Sequence, residues 1–239
     1  MKRALSLFAA ALVIFSLSIS GSALEQSSPV WSSYGKRDNV YSQVSTEEKA
    51  IALTFDDGPH PKYTAQILDI LKEYGVKATF FVIGKNAELC KDVVKRCAEE
   101  GHEIGNHTYT HATADACSYE TMKEEIGKTE RIITSLTGRT PYLFRPPTGL
   151  CNQNTVALSK ELGFKTIVWN VDTRDWAHTR TERIISSVLG NVKSGSIILM
   201  HDYIDPPSYT PEALRVIIPE LIARGYTFVT VSELLELDI

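Results

Sequence analysis

From Lys49 onward, short apolar runs rich in β-branched and aromatic residues alternate with longer stretches whose apolar positions recur every three or four residues. This reads as an α/β chain of about seven strand-helix units. The runs predict strands over Ala50 to Phe55, Ala78 to Val82, Glu103 to Asn106, Tyr142 to Arg145, Thr166 to Trp169, Ser196 to Met200 and Thr227 to Val231. The longer stretches predict helices near Thr64 to Tyr74, Glu88 to Glu100, Ser118 to Leu136, Asn152 to Leu162, Thr181 to Val192 and Pro211 to Ala223. Gly75, Gly101, Gly138, Gly163 and Gly225 follow these helices closely as stop signals.

The polar residues with chemical potential fall just after strands: Asp56 and Asp57, His107 and His111, Arg145, Asp172 and Asp175, His201 and Asp202. In an α/β barrel the loops at the carboxyl ends of the strands form one cleft, so residues distant in sequence would meet there. An open doubly wound sheet gathers them at one edge as well. No glycine-rich dinucleotide loop opens the first unit and nearly every unit contributes, which favours the barrel. Gly-x-Ser-x-Gly, P-loop and Gly-x-Gly-x-x-Gly patterns are all missing from the sequence, so serine hydrolysis and nucleotide cofactors find no support.

The 239 residues, 43% hydrophobic and 23% charged, suffice for one sizeable domain. Lys2 and Arg3 precede an uncharged apolar stretch from Ala4 to Ile19 and then small residues through Ala23. This predicts a signal peptide over residues 1–23, with a membrane anchor as the outcome if it stays uncleaved. Cleavage would take the formal charge from −4 to −6 by removing two cations, which argues against a nucleic-acid partner. Residues 24–48, rich in polar groups, read as a leader before a domain spanning 49–239. Monomer is the default expectation. Cys90, Cys97, Cys117 and Cys151 would meet an oxidising compartment after export. Cys90 and Cys97 sit about 10 Å apart along a helix, too far to bridge. Cys117 with Cys151 is the remaining pair considered.

Two neighbouring carboxylates repel each other, and successive strand side chains point to opposite faces, so a cation is a natural partner for the Asp56–Asp57 pair. His107 and His111 with Asp57 make a set of three ligands that leaves a fourth position for water, as a catalytic zinc requires. Asp56 is then free to act as a base. Ordinary turn chemistry before Gly58-Pro59 and two surface histidines at helical spacing explain the same residues taken separately.

The segments Thr-Phe-Asp-Asp-Gly-Pro (54–59), His-Thr-Tyr-Thr-His (107–111), Arg-Pro-Pro-Thr-Gly (145–149), Asp-Thr-Arg-Asp-Trp (172–176) and Leu-Met-His (199–201) resemble, in order, the five motifs of the polysaccharide deacetylases. These are the NodB-type domains of carbohydrate esterase family four, and the resemblance spans about Lys49 to Leu237. It implies a deformed (β/α) barrel that removes N-acetyl groups from an acetylated polysaccharide, peptidoglycan or chitin-like, using zinc or else cobalt, nickel or manganese. It further implies Asp57, His107 and His111 as metal ligands, Asp56 as general base and His201 as general acid. Asp175 is then the carboxylate behind His201, Arg145 the residue orienting Asp56, and Pro147, Thr148, Trp176 and Leu199 the substrate-binding positions. At Thr148 the family commonly has an aromatic residue, so one wall of the sugar groove departs from the pattern. An O-acetyl esterase acting on xylan and a catalytically silent glycan binder are the alternatives.

Overall fold

The computed structural model describes residues 30–239. The predicted signal peptide, 1–23, lies outside the described residues.

Every residue of β2 (Ala50–Asp56) is buried, as expected of a parallel strand covered on both faces. On one side the sheet continues through β3 (Thr79–Val82), β4 (Glu103–Asn106), β5 (Leu143–Phe144) and β6 (Lys165–Ile167) to β1 (Val40–Tyr41). On the other it continues through β8 (Ile197–His201) to β7 (Val171–Asp172), while β9 (Thr227–Phe228) pairs with the start of β2. All these ladders are parallel. Among the described residues no ladder joins β7 to β1 or β6, so the sheet curls into an incomplete barrel. An antiparallel bridge from Gln43 to Ser196, just before β8, ties the segment after β1 back across the opening.

Alternation along the strands divides the core. Ile51, Leu53 and Phe55, with Ile198 and Met200, point outward and pack under the helices α1 (Tyr63–Tyr74), α6 (Thr181–Asn191) and α7 (Thr210–Ala223). Truncating one of these fully buried side chains to alanine costs ~2–5 kcal/mol. Ala50 and Ala52, with Ile197 and Leu199, point inward and meet Phe81, Val168, Trp169 and the helix α8 (Val231–Glu236). The Val231 N–H donates to Thr79 Oγ1 and the Ser232 N–H to Glu103, at the first residues of β3 and β4, so α8 covers the amino end of the barrel. The opposite, carboxyl end is the one left for chemistry.

Several elements differ from those read in the sequence. The stretch from Glu88 to Glu100 is two helices, α2 (Gly84–Leu89) and α3 (Lys91–Glu99), broken at Cys90 with φ −117° and ψ 48°. The break has a tertiary cause. Gly84 and Lys85 donate to the carbonyls of Thr108 and Tyr109, which fixes the start of α2 on the loop between the two histidines. Predicted strand Thr227 to Val231 ends at Phe228, because Thr230 and Glu233 form a capping box that opens α8. Two-residue strands β1 and β7 carry too little periodicity to be read. Residues read as leader also join the fold: β1 pairs with β6, Val40 and Val44 are buried, and the Trp31 and Trp169 ring centroids lie 4.4 Å apart. The remaining helices are α4 (Tyr119–Thr137) and α5 (Gln153–Glu161). All four cysteines are free thiols, so Cys117 and Cys151 form no bridge.

Candidate metal centre and active site

Register alone brings the first pair together: Asp56, the last residue of β2, is the ladder partner of His201, the last residue of β8. Arg145 enters from the end of β5, where its N–H donates to the Asn106 carbonyl, and its side chain runs wholly buried into the barrel interior. There the guanidinium carbon sits 4.1 Å from the Phe81 ring centroid. Nη1 donates to Asp56 Oδ1 at 2.7 Å and to Thr54 Oγ1 at 2.8 Å, while Nε and Nη2 donate to the carbonyls of Ile167 and Val168 at 3.2 Å. Burial lowers the Arg145 pKa and the Asp56 charge resists the fall. With four of its five N–H donors engaged, the planar fork aims the Asp56 carboxylate.

Asp57 follows with φ +73°, in the left-handed region, which turns its side chain away from Asp56 and toward the histidines. His107 Nε2 lies 3.4 Å and His111 Nε2 3.2 Å from Asp57 Oδ1. This oxygen is buried and has no aligned hydrogen-bond donor. His107 Nδ1 lies 2.7 Å from the Arg145 carbonyl, which can only accept, so Nδ1 carries the proton and Nε2 presents its lone pair. The three donor atoms lie within 4.8 Å of one another. Donors on a tetrahedral ion with arms of ~2.0–2.1 Å stand about 3.4 Å apart, so the residues present fit a divalent cation. Burial works against an ionised Asp57, but the imidazoles of His107 and His111 outweigh it and hold the carboxyl well below the usual carboxylate range. Burial likewise opposes a charged His107, and the charges of Asp56 and Asp57 raise it.

On the other side of Asp56, His201 Nδ1 is 2.8 Å from Asp175 Oδ1, and the His201 N–H donates to Asp175 Oδ2 at 2.8 Å. Thr210 Oγ1 donates to the same Oδ2 at 2.6 Å, so Asp175 is held by both β8 and α7. Burial alone would lower His201. The Asp175 hydrogen bond and charge, with Asp56 and Asp57 beyond, push it up to about 9, and Nε2 is the nitrogen left for proton transfer.

The four positions expected to bind substrate divide by exposure. Trp176 is 52% exposed with the Arg174 guanidinium 5.9 Å from its ring, and Thr148 is exposed at φ +60°. Pro147 is buried, and Leu199, 2% exposed, belongs to the barrel interior two residues before His201 on the same face. His102 is buried, accepts the Ala78 N–H and is lowered to about 4 by burial.

Three further residues brace this site. Glu125 of α4 accepts the N–H groups of Tyr109 and Thr110 at 2.8 and 2.7 Å, which anchors the loop between the histidines. Asn86 of α2 donates to the Asp57 carbonyl at 2.7 Å. Asp202, one of the strand-end acids singled out in the sequence, is buried against Gly58 and Thr64, and burial pushes its carboxyl up to about 7. Nothing in local spacing flags Glu125 or Asn86, since each acts on a backbone group remote in sequence, and the position of Asp202 after β8 does not show which groups it accepts from.

Residues 43–167 match the family model described as polysaccharide deacetylase. Over 195 residues the chain is 45% identical to a peptidoglycan-N-acetylglucosamine deacetylase of Bacillus cereus, covering 81% of this chain and 91% of that protein. It is 35% identical to a chitooligosaccharide deacetylase of Rhizobium leguminosarum bv. trifolii, covering 78% of this chain and 92% of the relative. Among solved structures, a peptidoglycan N-acetylglucosamine deacetylase in complex with 4-naphthalen-1-yl-N-oxidanyl-benzamide superposes with a TM-score of 0.81 at 38% identity, covering 85% of this chain and 97% of that chain. The family model spans more than half of the 239 residues and the relatives align across most of their own length, so the chain belongs to the polysaccharide deacetylase family.

Proposed function

We propose that this chain is a metal-dependent amidohydrolase that removes N-acetyl groups from N-acetylglucosamine units of peptidoglycan or a chitin-like polymer. The observation that carries this reading is the convergence of Asp57, His107 and His111 beside an ion-paired Asp56 and a His201–Asp175 couple. Asp57, His107 and His111 would hold a divalent ion, zinc first because two imidazoles and one carboxylate are a zinc donor set, with cobalt, nickel and manganese as alternatives. When bound, such an ion supplies Lewis acidity that polarises the acetyl carbonyl and makes water acidic enough to react near neutral pH.

Asp56 accepts the proton that the attacking water gives up, and Arg145 keeps its carboxylate aimed throughout. The water oxygen bonds to the acetyl carbon, the carbon–nitrogen bond breaks, and His201 passes its Nε2 proton to the departing amine. Acetate and a free glucosamine amine are the products. Asp175 holds the imidazolium in place for that transfer. The Thr148 backbone N–H is the candidate donor to the developing oxyanion, and the exposed Trp176 face is the candidate platform for the sugar ring. The basic-then-apolar start of the sequence supports export to a substrate outside the cytoplasm.

Acetate release from peptidoglycan, chitooligosaccharides and acetylated xylan, with and without a chelator, tests the reading. Release from the first two that stops on chelation and returns with zinc is expected. Release from xylan alone would replace the amide reading with an ester one, and release from none would defeat both.

A further inference from the structure

Asp57 is held in the left-handed region without the conformational freedom of a glycine, so something outside its own side chain must keep it there. The peptide unit joining Asp57 to Gly58 is gripped at both ends. Asn86 Nδ2 donates to its carbonyl oxygen at 2.7 Å, and its N–H donates to Asp202 Oδ1 at 3.1 Å. The second carboxylate oxygen of Asp202 accepts from Thr64 Oγ1 at 2.6 Å, and that hydroxyl accepts the His60 N–H at 2.7 Å. The Asp202 N–H closes the loop on the Asp56 carbonyl at 3.2 Å. Asp202 is 1% exposed and has no cation among the described residues within salt-bridge range, and a Cβ on Gly58 would collide with its carboxylate.

We propose that Asp202 is a positioning residue for the metal site: its carboxylate clasps the Asp57–Gly58 peptide and thereby fixes the direction in which Asp57 presents Oδ1 to His107 and His111. Fixing that plane sets ψ of Asp57, and with φ already left-handed the side chain has one way to leave the backbone. Glycine at 58 follows from the same contact, since the carboxylate occupies the space a side chain would need. The role rests on the metal reading given above and assigns Asp202 no contact with substrate.

The test is a Co²⁺ titration of chelator-stripped protein followed by visible absorption, with Zn²⁺ affinity from competition, on wild type, Asp202→Ala and Asp202→Asn. The asparagine keeps an oxygen for the Gly58 N–H while its amide donates to Thr64 Oγ1. Alanine should weaken both ions about 10–100-fold and alter the cobalt spectrum, whereas asparagine should stay within about threefold of wild type. Unchanged affinity in Asp202→Ala, or an equal loss in Asp202→Asn, overturns the clasp. If Asp202→Ala does not fold, Thr64→Val removes the partner of Oδ2 and should cost several-fold in affinity, with no change counting against the proposal. Wild type that binds neither ion refutes the metal reading itself, which separates the two failures.

Discussion

Asp175→Asn is the perturbation that separates the acid–base assignment from mere proximity. Burial pulls His201 down, and the hydrogen bond and charge of Asp175 are the largest influences that bring it up to about 9. Without them the imidazole should return to its ordinary value of ~6.5 or below. At about pH 7.5 the imidazolium fraction then falls from ~97% to ~9%, an approximately tenfold loss of kcat from protonation alone. The basic limb of the pH–rate profile should move from near 9 to about 6.5 or lower, and the variant should approach wild type as the pH falls toward ~6. Stability of the metal-free protein offers a second readout. The folded pKa lies above the unfolded one, so the contribution of His201 is complete below about pH 6.5 and is lost as pH rises through about 9. That amounts to ~3 kcal/mol in wild type and should vanish in Asp175→Asn. An unmoved basic limb in the variant, measured by acetate release across pH, would refute the reasoning.

Asp56→Asn should retain metal, measured by elemental analysis, while kcat falls ~100 to ~10,000-fold; full activity would remove Asp56 as base. Arg145→Met leaves a buried carboxylate without its cation and should cost ~3–5 kcal/mol in denaturant unfolding, and a loss below about 1 kcal/mol would show that the pair does not support the fold. Because His107 is raised by Asp56 and Asp57, protons compete with the ion, so metal affinity should weaken as pH drops from about 8 to about 6, and calorimetry that finds no pH dependence would contradict this. Trp176→Ala should raise KM for an oligosaccharide several-fold with kcat nearly unchanged, since the ring is exposed and supports no core contact; equal loss in both would place it elsewhere in the mechanism.

Much of this architecture is legible in the sequence, because the central strands are mainly apolar runs, helices such as α1 and α4 stop at a glycine, and the motif residues sit at or a few residues beyond strand ends. Asp56 and His201 are legible for the same reason: each terminates a buried strand, and those strands are neighbours. What escapes is decided by tertiary partners. Cys90 interrupts a plausible helix where α2 is fastened to the histidine loop, and the place of Asp202 after a strand does not reveal that it accepts the Gly58 N–H. Leu199 shows the converse, a motif position whose local context cannot separate pocket lining from barrel packing and which the fold buries.

The central claim is one cation held by three side chains, and anomalous scattering at the zinc edge from zinc-loaded crystals tests it most directly. A single strong peak ~2.0–2.2 Å from Nε2 of His107, Nε2 of His111 and a carboxylate oxygen of Asp57 is predicted, with Asp56 and His201 outside bonding distance. A peak coordinated by His201 or Asp56 in place of these ligands, or no ordered peak in the cleft, would contradict the account.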